Sequence, residues 1–163
     1  MEYCFLEVET PKIEGESTIA GYEKQISIEK PVLALSNEVQ MGGTFPGRTS
    51  GRPSAQDITI QKQVDKTTPV FAKACATGQP LESVKIHAVR QDEKVQKNLE
   101  YETVELGDVV VSSIHIDASG GIPQERLTLN YSKIKVVTKA QNTDGGVEGN
   151  KAVSYDQSTN AVS

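Results

Sequence analysis

Apolar and polar residues alternate with a period of two through most of the chain, the pattern of strands that bury one face. Cys4, Leu6 and Val8 alternate with Phe5 and Glu7, and Ile26 and Ile28 alternate with Gln25, Ser27 and Glu29. Ile58, Ile60 and Val64 have Thr59, Gln61 and Gln63 among them; Val84, Ile86 and Ala88 have Lys85 and His87 between them. Leu99, Tyr101 and Thr103 share one parity, and Asp92, Glu93 and Lys94 read as the tip of a hairpin that joins this strand to the preceding one. From Asp108 to Asp117 the chain is almost continuously β-branched, which predicts a strand buried on both faces or central to a sheet.

The pattern breaks in an informative way between Arg126 and Thr138. Leu127, Leu129 and Tyr131 are odd-numbered, whereas Ile134 and Val136 are even-numbered. A regular strand would turn its apolar face outward after Ser132. A β-bulge absorbs one residue, restores the face and bends the strand, as happens at barrel corners.

One segment reads as a helix. Thr68 can cap it, Pro69 fits the first helical position and Gly78 fits the C-terminal stop. Val70, Phe71, Ala74 and Cys75 then share the face that packs on the strands. A helix of two to three turns is marginal alone, so it must rest on the sheet. Many short strands with one short helix predict a mainly β fold, a small antiparallel β-barrel with a flanking helix.

Two segments do not read as strands. Met41 to Ala55 holds Gly42, Gly43, Pro46, Gly47, Gly51 and Pro53, and is expected to be a long loop. The segment after Ala140 is polar and Gly-rich, with a weak last strand near Ala152 to Tyr155. No repeat or linker divides residues 1–163, which read as one domain.

Composition narrows the function classes. The net charge of −5 argues against a protein built to neutralise phosphates, so no nucleic-acid partner is expected. No run of apolar residues is long enough to span a bilayer, so no membrane insertion is expected. Residues Met1 to Val8 have no basic patch and too short an apolar run for a secretory leader, so the Sec route is not expected. Cys4 and Cys75 match no metal or redox spacing and read as reduced, buried thiols of a protein made in the cytoplasm.

Candidate chemistry is sparse. Of two histidines, neither His87 nor His115 adjoins a nucleophile elbow or a second catalytic partner. Glu14 and Glu16 flank Gly15 in a turn but lack the spacing of a calcium loop. Gly42 and Gly43 are not followed by a phosphate-binding lysine, and Gly120 to Gln124 has no dinucleotide spacing. No catalytic residue, metal ligand or cofactor is expected. Arg48 and Arg52, which bracket Gly51 and adjoin Pro53, could meet carboxylates on a neighbour, and are the candidate self-assembly residues.

Five strings in order go further: Ile13 to Ser17 (IEGES), Arg48 to Pro53 (RTSGRP), Val64 to Gln79 (VDKTTPVFAKACATGQ), Asp108 to Ser113 (DVVVSS) and Glu125 to Val136 (ERLTLNYSKIKV). Together they resemble the Hcp family of type VI secretion. The last string carries the same phase slip. The chain departs from the family in lacking a tryptophan in the final strand, where Tyr155 stands, and Ile19 to Gln40 matches loosely. The resemblance implies hexameric rings that stack into an inner tube, with small effectors in the lumen, a spike protein at the tip and sheath proteins outside. It also implies a cytoplasmic protein exported through the apparatus itself. A monomeric β-barrel binding module is the competing reading.

Overall fold

The computed structural model describes residues 2–29, 31–41, 48–92, 97–141 and 147–163; the side chains of 38–41, 48–52, 92, 141, 147 and 148 are outside that description. In chain order the elements are β1 (Glu2–Thr10), β2 (Ile26–Ile28), β3 (Leu35–Met41), β4 (Arg48–Ala55) and β5 (Ile58–Gln63). Then come α1 (Thr68–Thr77), β6 (Leu81–Asp92), β7 (Lys97–Asp117), β8 (Gln124–Asn130), β9 (Lys133–Gln141), β10 (Val147–Asp156) and β11 (Ala161–Val162).

The main sheet runs β11-β10-β9-β7-β6-β1-β2, with β8 also paired to β7, and β5 paired to β8. The series β2-β1-β6-β7-β8-β5 curls back toward its start. There the Glu29 N–H donates to the Gln61 carbonyl at 2.8 Å, and Val32 bridges Thr59. These isolated bonds stand where a fully closed barrel would have a ladder. The sheet thus curls toward the expected antiparallel β-barrel without closing, and the mainly β class holds.

Period-two residues fill its interior as expected. Leu6, Ile26, Ile60, Val84, Val109, Leu127 and Leu129 are all fully buried. The long β7 makes the curl possible. Its first half pairs with β6 and β9, and its second half with β8. The change comes at Gly107 and Asp108, where Asp108 has φ 51°. Opposite it, β8 ends at Asn130 and β9 begins at Lys133. The Ser132 N–H donates to the Gly107 carbonyl at 3.2 Å, and the Ser132 hydroxyl donates to Asp108 Oδ2 at 3.0 Å. The phase slip is therefore a corner, with Tyr131 and Ile134 both buried on either side of it.

Several expectations need correction. Residues 48–55 are not loop: β4 pairs with β3 as a separate two-stranded sheet, in register from Leu35–Ala55 to Met41–Arg48. Pro53 is tolerated because the ladder is irregular there, slipping between Asn37 and Val39. Residues 42–47, the centre of the supposed loop, lie outside the described residues, as does the β6–β7 tip at 93–96. The weak final strand is longer than expected, running over Val147–Asp156. The β-branched run from Asp108 is not buried on both faces; Val109 and Val111 are buried, but His115 and Ile116 are exposed because only β8 flanks that end.

The helix spans Thr68–Thr77 and ends at Gly78 in the left-handed region, φ 68°, as glycine allows. Its buried residues are Thr68, Phe71 and Ala74, with Cys75 half-buried against the core. Val70 is 43% exposed, contrary to expectation. At about 100° per residue it lies a quarter-turn outside the stripe centred on Phe71. Thr68 is not the cap either. Thr67 holds that position without a side-chain capping bond, and Asp65 fixes Thr67 instead: its Oδ1 accepts the Thr67 N–H at 2.8 Å and the Thr67 hydroxyl at 2.5 Å. The Thr68 hydroxyl returns the favour by accepting the Asp65 N–H at 3.1 Å.

Asp65 is in turn held by a lysine inside the barrel. Lys62 continues the inward parity of Ile58 and Ile60, and its side chain is 0% exposed. The ammonium donates to Asp65 Oδ1 at 2.8 Å and to the Gln63 carbonyl at 3.0 Å, and it forms an ion pair with Glu125 Oε1 at 2.7 Å, whose two oxygens accept no hydrogen bond from the described residues. Burial opposes the Asp65 charge, but the bonds from Lys62 and Thr67 outweigh it and hold the carboxyl below its ordinary range.

Two outcomes follow for stability. Phe71→Ala should cost about 3–5 kcal/mol, whereas Val70→Ala should cost less than about 0.5 kcal/mol as an exposed change; urea denaturation of both variants checks the helix face. Lys62→Met should cost about 3–5 kcal/mol because Glu125 is left charged and buried. Adding Glu125→Met should recover most of that loss, and failure to recover would show that the pair is not the source.

Candidate functional site

The β3–β4 hairpin is the part of the chain least committed to the barrel. Each arm pairs only with the other, over seven or eight residues, so it reaches about 20 Å. Its root is fastened. The Gln56 N–H donates to the Ala34 carbonyl at 3.2 Å, and Leu33 and Ala55 pack on the core. The buried Tyr155 of β10 adds a cross-tie, its hydroxyl lying 3.2 Å from the Pro53 carbonyl and 3.1 Å from Asn160 Oδ1. Proline has no N–H to give the ladder, but its carbonyl is free to take this bond.

Arg48, Gly51 and Arg52 all lie on β4, with Arg48 opposite Met41 at the far end and Pro53 near the root. The backbone thus brings the four candidate assembly residues onto one hairpin arm. The side chains of Arg48 and Arg52 lie outside the described residues.

A second feature is the strap between β1 and β2. The Gly15 N–H donates to the Lys24 carbonyl at 2.6 Å, and a Cβ on Gly15 would sit 2.4 Å from the Gln25 carbonyl oxygen. Only glycine fits so close an approach of two backbones. Of the flanking glutamates, Glu14 pairs with Lys12 at 3.2 Å and Lys24 at 3.9 Å, and Glu16 is exposed. Farther along the strap, Tyr22 stacks on Phe5 at 4.8 Å between centroids and donates to Glu100 at 3.1 Å.

The two histidines have different surroundings. His87 is buried between Glu7 and Glu100 on the sheet face away from the barrel core. His115 is exposed beside a groove of about 770 Å³ that also borders Asp117, Ser119 and Arg126. The Asp117 carboxylate accepts the Ser119 N–H at 2.9 Å and hydroxyl at 2.6 Å, and these bonds hold it below its ordinary range. A carboxylate so occupied is a poor proton acceptor for catalysis. Among the described residues no group of three His, Cys, Asp or Glu could hold a metal ion. Both cysteines are free, Cys4 buried and Cys75 only half so.

Sequence reasoning missed Lys62, Asp65 and Glu125. The signal was present: Lys62 shares parity with Ile58 and Ile60, and Glu125 with Leu127 and Leu129. Two opposite charges, each on an apolar parity, predict a buried pair once the strands are known to be neighbours. Tyr22 had no comparable signal, because its partners Phe5 and Glu100 are brought to it only by the fold.

Comparison with known proteins places these features. A family profile described as "Type VI secretion system effector, Hcp" matches residues 5–137. The Hcp1 protein of Pseudomonas aeruginosa is 32% identical over 98 residues, which is 59% of this chain and 59% of that protein. Among solved structures, one titled as a type six secretion system protein superposes with a TM-score of 0.91 at 21% identity, covering 100% of both chains. Hcp1 from Salmonella typhimurium superposes at 0.77 with 19% identity, covering 99% of each. The fold is shared throughout and the profile covers most of the length: this chain belongs to the Hcp family of type VI secretion proteins.

Proposed function

We propose that this chain is a subunit of the inner tube of a type VI secretion apparatus, that six copies close into a ring, and that rings stack into a tube carrying small effectors. The observation that carries this reading is the family match over residues 5–137, together with a barrel that leaves two kinds of unpaired surface. One is a sheet edge. β11 and Ser163 after it pair with β10 only at Ser154, Tyr155 and Asp156, so the outer edge of β10 before Ser154 has no strand beside it among the described residues. Such an edge offers backbone donors and acceptors to another copy. The other is the β3–β4 hairpin, long enough to cross to a neighbour.

A tube needs two heterologous contacts, one whose rotation closes a ring and one that repeats along the axis. The sheet edge suits the first and the hairpin the second. Arg48 and Arg52 on that hairpin would meet carboxylates of the next ring. Each exposed pair contributes only about 0–1 kcal/mol, but the contacts form together around the ring and their effects multiply. Specific partners follow in the same way: a spike protein at the tip, sheath proteins outside and effectors within. The chain works as a scaffold and carrier with no cofactor and no turnover, made in the cytoplasm and exported through the apparatus.

Light scattering coupled to size exclusion should give six times the mass of one chain at micromolar concentration, with lateral interfaces of about 1,000 Å² or more. A monomer mass would favour a binding module instead. Arg48→Glu with Arg52→Glu should leave the ring mass unchanged and abolish or shorten tubes seen by electron microscopy. Normal tubes from that variant would remove the hairpin from the stacking contact.

A further inference from the structure

His87 sits on β6 in register with Phe5 of β1 and Thr103 of β7. Its Nε2 is 2.8 Å from Glu7 Oε2, and its Nδ1 is 2.7 Å from Glu100 Oε2. An ionised carboxylate only accepts hydrogen bonds, and a neutral imidazole has only one N–H to give. With both carboxylates ionised, these distances are met by the doubly protonated imidazolium, which spans three adjacent strands.

Glu100 ties that cation to the strap. It also accepts Thr103 Oγ1 at 2.7 Å, Lys139 Nζ at 2.8 Å and the Tyr22 hydroxyl at 3.1 Å. The Tyr22 ring covers His87, centroids 5.7 Å apart and planes at 59°. Asn98 Nδ2 fixes the strap a second time by donating to the Ala20 carbonyl at 3.1 Å.

We propose that His87 is a proton-held clamp: doubly protonated, it fastens β1, β6, β7 and the strap of residues 17–24 together, and loss of one proton loosens the strap. When that proton leaves, one ring nitrogen turns a lone pair toward a carboxylate oxygen, and the two must part. Glu7 is the partner that goes, because its side chain is 32% exposed against 19% for Glu100. The ring is then held on one side only, and Tyr22 loses its fixed floor.

The charged groups around the site single out His87 as the responder. Burial opposes its charge and is the largest single influence, but the bonds and charges of Glu100 and Glu7 together outweigh it, so its pKa stands above the ordinary 6.5. The bond from His87 is the main reason that Glu100 is held far below the carboxylate range, with Lys139 and Thr103 adding to it against burial. Burial and Glu100 raise the Tyr22 phenol, so it stays a neutral donor. Lys85 bonds Glu9 at 2.9 Å, which raises the lysine and lowers the glutamate, while Glu7 and Glu105 add to the lysine's charge. A raised histidine contributes stability that is complete below its unfolded pKa and is lost as pH rises through the folded one. The clamp is thus closed on the acid side of that transition and open on the alkaline side.

The inference does not depend on tube assembly, and its test is made on the full chain. With only two histidines, selective labelling at Cε1 gives two resonances, and their loss or retention in the His87→Gln variant assigns them. His87 should titrate above the ordinary 6.5. Hydrogen exchange of residues 17–24, corrected for intrinsic rates, should rise along the His87 curve. The rise should be about tenfold for each pH unit by which the folded pKa exceeds the unfolded one. His87→Gln should leave the strap loose and its corrected exchange independent of pH. Glu7→Gln keeps the Glu100 half of the clamp and should move the titration and the exchange curve down together, which preserves the test if the histidine variant does not fold. Titration of His87 at or below the ordinary 6.5, or a strap whose exchange stays flat while His87 titrates, would overturn the clamp.

Discussion

A single strand serves two halves of this sheet, and the fold depends on how that strand bends. β7 pairs with β6 and β9 along its first half and with β8 along its second. Without the turn at Gly107 and Asp108, β8 could not reach β5, and the series of strands could not curl back toward β2. The left-handed Asp108 is a cost to the backbone. It is offset by the Ser132 hydroxyl bond to its carboxylate and by burial of Tyr131 and Ile134 beside the corner. The same bend leaves β9 free to carry β10 and β11 outward, which creates the open sheet edge.

Charge is used in two different ways on the two faces of the sheet. Inside, Lys62 meets Glu125 at full burial and Asp65 at partial burial, and an unmatched partner there would be severely destabilising. That cluster links a barrel strand to the helix start, which explains in physical terms why an aspartate and two threonines stand at Asp65, Thr67 and Thr68. Outside, His87, Glu7 and Glu100 join three strands under a strap, at intermediate burial, where a proton can still come and go. The first cluster is a fastening; the second can respond to its surroundings.

Much of this was legible in the residues. The alternating strands, the short helix, its Phe71 and Ala74 face and the corner after Tyr131 all follow from periodicity. What was not legible depended on pairing at a distance. Glycine and proline between Met41 and Ala55 discourage a strand locally, yet β3 supplies a partner and the slipped register accommodates Pro53. Val70 looked equivalent to Phe71 because both are apolar, and only the direction of the helix on the sheet separates them. His87 looked isolated in sequence because Glu7 lies 80 residues away and Glu100 lies 13 away. The proposed assembly rests on resemblance, because periodicity describes one subunit and is silent about its copies.

The central claim is that this subunit is built to repeat. Negative-stain electron microscopy of the purified protein tests it most directly. The account predicts particles that in top view are rings of six lobes around an open centre, with side views showing rings stacked on one another. A uniform field of small solid particles, at concentrations where the protein is fully folded, would contradict it.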